Sequence, residues 1–110
     1  MQDTLPKLCP YELIAGITRL MRTLAQQDDW DAVVQLAPRY HNAVQELRGI
    51  GTLTPEELTA RRGLLTEIIA NDAELRRLAA PRLDELGTLI TNLQRQRSVL
   101  RAYYTPQTRA

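Results

Sequence analysis

From Leu58 to Leu100, leucine and isoleucine return every three or four residues, a period that only an α-helix turns into one face. The set is Leu58, Leu64, Leu65, Ile68, Ile69, Leu75, Leu78, Leu83, Leu86, Leu89, Ile90, Leu93 and Leu100. Within it, Leu58, Leu65, Asp72, Ala79, Leu86, Leu93 and Leu100 form a seven-residue ladder of the kind that drives coiled coils. Its start is equally marked. In Leu53-Thr54-Pro55-Glu56-Glu57-Leu58, Thr54 can cap the helix, Pro55 suits the first helical position, Glu57 closes a capping box and Leu53 can staple onto Leu58. Gly63, Pro81 and Gly87 interrupt the run, so this third helix is expected to bend or divide near Ala80.

Two shorter segments precede it. After Pro10 the stripe Leu13, Ile14, Ile17, Leu20, Met21 and Leu24 predicts a helix to Gln26, with Glu12, Arg19, Arg22 and Gln26 facing water. The polar stretch Gln26–Asp29 makes a short turn in which Asp28 or Asp29 caps the next helix. That second helix should turn Trp30, Val33, Val34, Ala37, Val44 and Leu47 to the core, hold Tyr40 at its flank and stop at Gly49-Ile50-Gly51. Pro38 inside it removes one backbone bond at a cost of about 3 kcal/mol, which predicts a kink near Ala37.

The expected fold class is therefore all-α. We expect an antiparallel bundle of three to four helices in one domain spanning residues 1–110, with a helix 1/helix 2 hairpin packed on a long third helix and a C-terminal helical segment. With no Phe and one Trp in 110 residues, the core should be aliphatic, and a chain this short hides only about two thirds of its unfolded surface, too little for a deep enclosed pocket. A single cysteine, Cys9, excludes an internal disulfide and points to a reducing compartment, the cytoplasm. The start of the chain is broken by Pro6, Lys7, Pro10 and Glu12, unlike a signal peptide, and no apolar run is long enough to span a membrane.

Length creates a mismatch. Helices 1 and 2 would be about 27 and 30 Å long, whereas an unbroken third helix would reach roughly 70 Å. Its far half, with Leu86, Leu89, Ile90, Leu93, Val99 and Leu100, must be covered by the chain folding back near Pro81 or Asn92, by a second copy, or by another partner. Charge is uneven too: residues 1–60 carry five basic and eight acidic side chains, residues 61–110 nine and five. The end of the chain is a basic strip, Arg95, Arg97, Arg101 and Arg109, beside Tyr103 and Tyr104.

No constellation for chemistry emerges. His41 and Ser98 are each the only residue of their kind, so a Ser-His-Asp triad would need both, and a Cys9-His41 dyad has no better support. Cys9, His41 and the carboxylates never occur at metal-ligand spacing, and Asp28-Asp29-Trp30-Asp31 lacks the rest of a calcium loop. There is no glycine-rich phosphate loop. Catalytic, cofactor and metal sites are thus all expected to be absent. The arginines of the tail are a weak nucleic-acid footprint in a near-neutral chain and read more simply as a solvated helix end.

Leu24-Ala25-Gln26-Gln27-Asp28-Asp29-Trp30-Asp31, followed by Tyr40, resembles the helix 1 to helix 2 junction of the FliT-type flagellar export chaperones. Asn71-Asp72-Ala73-Glu74-Leu75, Arg82-Leu83-Asp84-Glu85-Leu86, Leu89-Ile90, Arg95-Gln96-Arg97 and Ala102-Tyr103 resemble that family's third helix and the start of its last segment, in register over most of the chain. Pro81 departs from the pattern, and the chain ends at Ala110 where some relatives continue. The resemblance implies a cytoplasmic, non-enzymatic chaperone of flagellar type III export. Such a protein binds the C-terminal part of the filament-cap protein, prevents its premature assembly and brings it to the export ATPase complex. In some bacteria it also binds the flagellar master transcription regulator. It also implies a C-terminal segment, here about residues 92–110, that covers the client surface. The expected client stripe, bound helix-in-groove, is Leu65, Ile68, Leu75, Leu78, Leu86 and Leu89, with Arg95, Arg97, Leu100 and Tyr103 in the regulatory segment. Membrane insertion and direct nucleic-acid binding are not expected. The alternatives are a small nucleic-acid-binding regulator and a homodimeric coiled-coil adaptor held by the third-helix ladder.

Overall fold

The computed structural model describes residues 6–104. Four α-helices carry the fold: α1 (Cys9–Gln26), α2 (Trp30–Gln45), α3 (Pro55–Ala79) and α4 (Leu83–Tyr104). Short 3-10 turns occupy Pro6–Leu8, Glu46–Gly49 and Ala80–Arg82, and no strand occurs among the described residues.

Local chemistry sets the boundaries. At the α1–α2 turn Asp28 takes a φ of 62°, the left-handed region that a short polar side chain tolerates. Its Oδ1 accepts from Trp30 Nε1 at 2.9 Å and from Arg82 Nη1 at 2.7 Å, which ties the turn to the distant α3–α4 corner. Asp29 caps α2 by accepting from the Ala32 amide at 3.3 Å. The helical run of α2 is unbroken at Ala37, and Pro38 lies on its exposed side. The α3 capping box is complete: Thr54 Oγ1 accepts from the Glu57 amide at 3.1 Å and Glu57 Oε1 accepts from the Thr54 amide at 2.7 Å.

The long apolar run divides at Ala80–Arg82, around Pro81, and the chain folds back. Leu86, with φ −115° and ψ 20°, breaks the start of α4 a second time. Beyond it α4 returns along α3, so that Ala73 shares a surface dent with Ile90 and Gln94, and Arg62 lies over the Tyr104 ring at 5.0 Å. No 70 Å rod exists: the longest dimension is 43 Å. Both hairpins, α1–α2 and α3–α4, are antiparallel. Between them α1 runs beside α3 in the same direction, since Arg19 Nη2 meets Glu67 Oε2 at 2.6 Å while Tyr11 lies level with Arg61. Likewise α2 runs with α4, joined by Arg82–Asp28 at one end and Gln96–His41 further along. The connection 46–54 therefore crosses one end of the bundle, where Lys7 Nζ donates to the Thr52 carbonyl at 2.7 Å.

One core joins all four helices, built from residues such as Ile14, Met21, Val33, Val44, Leu65, Ile68, Leu75, Leu93 and Leu100. Some expected members are elsewhere. Leu13, Leu20 and Val34 are 56%, 48% and 46% exposed, because successive helical residues point about 100° apart and the packing selects the neighbours Ile14, Met21 and Val33. Leu58 and Leu83 lie in the first turns of α3 and α4 and are also exposed. Tyr40, expected at the flank, is wholly buried. Its hydroxyl finds a partner inside the protein, donating to Asp72 Oδ1 at 3.0 Å.

Candidate functional site

Six of the seven ladder residues, Leu65, Asp72, Ala79, Leu86, Leu93 and Leu100, are buried within this one chain, and Leu58, in the first turn of α3, is exposed. The six stripe residues do not form an open groove. Leu65, Ile68 and Leu75 on α3 lie in the core, and Leu78 is half-buried. Leu86 and Leu89 belong to α4 and enter the same core from the returning helix of the hairpin. The structure thus divides the stripe between two helices that share one core.

The covering helix is seated partly through polar groups. Arg95 is exposed and donates to Asn92 Oδ1 at 3.2 Å, Leu100 is wholly buried, and Tyr103 meets Tyr11 edge to face with centroids 6.4 Å apart. Gln96 is buried, its Nε2 2.8 Å from Nδ1 of the half-buried His41. Gln96 Oε1 and Arg97 Nε are buried without a hydrogen-bond partner. Leaving such an atom unpaired costs about 1–3 kcal/mol, so the α4 seat is weaker than its buried leucines suggest.

Beneath it lies a polar cluster. Asp72 accepts from Tyr40 on one oxygen and from Arg76 Nε at 2.8 Å on the other. Burial pushes its carboxyl above the ordinary range, against the pull of the Arg76 hydrogen bond and charge, the Tyr40 hydrogen bond and the more distant Arg97 charge. Burial and the neighbouring carboxylate also push the Tyr40 phenol well up. Asn71 Nδ2 donates to Thr18 Oγ1 at 3.2 Å, a polar tie between α3 and α1. These groups hold helices together. Among the described residues no three His, Cys, Asp or Glu side chains converge as metal ligands, and His41 and Cys9 lie on different faces of the hairpin.

A second feature was not expected from the sequence. The outer face of the α1–α2 hairpin holds a groove of about 870 Å³ lined by Cys9, Leu13, Gly16, Ile17 and Leu20 on α1 and Leu36, Arg39 and Ala43 on α2. Its signal was present: α1 carries apolar residues over too wide an arc for one neighbour. No helix of the described residues is long and apolar enough to cross a membrane.

The family model described as flagellar protein FliT matches residues 8–105. The flagellar protein FliT of Yersinia pseudotuberculosis serotype O:3 (strain YPIII) is 33% identical over 99 residues, covering 87% of this chain and 82% of its own. That of Shigella sonnei (strain Ss046) is 34% identical over 99 residues, covering 84% and 79%. No solved structure matches the chain at a significant level. With the match spanning all four helices and both turns that join the hairpins, the chain belongs to the flagellar protein FliT family.

Proposed function

We propose that this protein is a cytoplasmic, non-enzymatic chaperone of flagellar type III export. It binds the C-terminal region of the filament-cap protein, prevents its premature assembly and delivers it to the export ATPase complex, with the flagellar master transcription regulator as a further partner. The client offers an amphipathic helix that replaces the distal half of α4 against Leu65, Ile68, Leu75 and Leu78, while Leu86 and Leu89 guide its near end. Arg95, Arg97, Leu100 and Tyr103 belong to the displaced segment. The observation that carries this reading is the fold-back of α4 on a leucine-rich α3 through a seat containing two unpaired buried polar atoms. A tethered helix held this way competes with a client of the same character.

Calorimetric titration tests it. A peptide from the C-terminal part of a filament-cap protein should bind the full chain, and truncation after Thr91 should raise its affinity. A cover worth 1–2 kcal/mol corresponds to about five- to thirtyfold. The truncated protein should keep its helical circular dichroism and bind more hydrophobic dye. Unchanged or weaker affinity in folded, truncated protein rejects the covering role of α4.

A further inference from the structure

The surface that a client would take from α4 is more than a row of leucines. Between Ile68 and Leu75, one helical turn from each, α3 carries Asp72, and all three side chains are fully buried in the closed bundle. Among the described residues Asp72 accepts two hydrogen bonds, from the Tyr40 hydroxyl of α2 and from Arg76 Nε of α3 itself. A carboxylate has about four lone-pair sites, so roughly half of its acceptor capacity is unused. Burial outweighs both bonds, since the carboxyl stays above its ordinary range in spite of them.

α4 answers that carboxylate imperfectly. Ala73 shares one surface dent with Gln94, and Ala70 shares the next with Arg101, so the antiparallel register sets Arg97 level with Asp72. Arg97 acts on Asp72 through its charge and not through a hydrogen bond, and its own Nε is buried unpaired.

We infer that Asp72 determines which helix displaces α4: the client carries a lysine at the position of Arg97, with apolar residues one turn to either side in place of Leu93 and Leu100. The inference rests on the displacement of α4 proposed above and adds the side-chain chemistry that selects the incoming helix. Lysine has a methylene where arginine has Nε, so its stem buries no unpaired nitrogen, and its ammonium brings three donors to the open lone pairs. A free helix can slide until that ammonium meets Asp72, whereas α4 is held through the corner at Ala80–Arg82. A wholly apolar helix reburies the carboxylate and adds no donor. An acidic residue at this position sets like charges together in a desolvated seam, which excludes such a helix.

Fluorescence anisotropy with the full chain tests this. The probe is a labelled synthetic peptide of residues 87–104, the sequence of α4 itself, together with versions carrying Arg97→Lys, Arg97→Met and Arg97→Glu. The Lys peptide should bind tightest, about fivefold or more tighter than the Met peptide, and the Glu peptide about tenfold or more weaker than Met. In the Asp72→Asn protein the Lys and Met peptides should agree within about twofold. Each comparison is made within one protein, so any change in the strength of the chain's own cover cancels. Should circular dichroism show Asp72→Asn unfolded, the order in the wild-type protein decides alone. Lys no better than Met overturns the inference, and so does a Lys preference that survives Asp72→Asn. Peptides that bind equally whatever residue 97 is leave the displacement of α4 standing and remove the role of Asp72. If no peptide binds at up to about 1 mM, where even weak complexes form, the displacement fails and the inference with it.

Discussion

Asp72 is an acidic side chain held wholly inside the bundle, where burial disfavours its charged form. Burial raises its carboxyl in the folded state above the ordinary value near 3.9, so the folded protein binds that proton more tightly than the unfolded chain. The stability this contributes is complete below the ordinary carboxylate value and is lost as pH rises through the folded value. Asp72→Asn keeps an acceptor for the Tyr40 hydroxyl and removes the titration. Urea denaturation of both proteins at pH 4 and pH 7 should therefore show the variant gaining stability relative to wild type as pH rises. An identical pH dependence would mean that the carboxylate is not desolvated. Nothing local announces this site: Asp72 stands in the apolar ladder as a polar intruder, but its partner Tyr40 is 32 positions away. Periodicity assigns each residue a face and leaves open which residue on another helix will meet it.

Elements differ in how much of their definition is local. The start of α3 was fully legible because Thr54 and Glu57 satisfy each other's backbone amides within four residues and Pro55, at the first helical position, has no amide proton to satisfy. Thr54→Ala should accordingly cost about 1 kcal/mol in a denaturant melt, and no loss would mean that the capping box is idle. The division near Ala80 was equally legible from Pro81, yet the direction in which the chain leaves it was not. Ala80 and Leu83 keep right-handed helical backbone angles, and the second break falls at Leu86, an ordinary helix former with no turn chemistry of its own. The reversal is set by leucines finding a core, which is a tertiary event. The same holds for α1, where both Ile14 and Leu13 fit the helical period. Only packing decides that Ile14 and Met21 are buried while Leu13 and Leu20 line the outer groove.

Across the whole molecule the seams are unequal in chemistry, and stability should be distributed accordingly. The α1–α3 seam pairs its buried Asn71 with Thr18, and α1 leaves a single buried polar atom, Arg22 Nε, without a partner. The α4 seat also buries Leu93 and Leu100 but leaves Gln96 Oε1 and Arg97 Nε unpaired, and α4 is already broken at Leu86 beside Gly87. Regions open locally in cooperative units, with free energies that range from near zero to the global value. The part of α4 beyond Leu86 begins at a backbone break and has unpaired polar atoms in its middle, the features expected of such a unit. Native-state hydrogen exchange should place the amides of Leu93–Leu100 in an opening at least about 1 kcal/mol below that of Ile14–Met21 and Leu65–Leu75. Replacing Arg97 with Met, which retains the aliphatic stem and removes the unpaired buried nitrogen, should narrow that gap. If α4 exchanges with the rest of the bundle in a single global step, it is an integral fourth helix. A client would then have to bind the closed protein rather than take the place of α4.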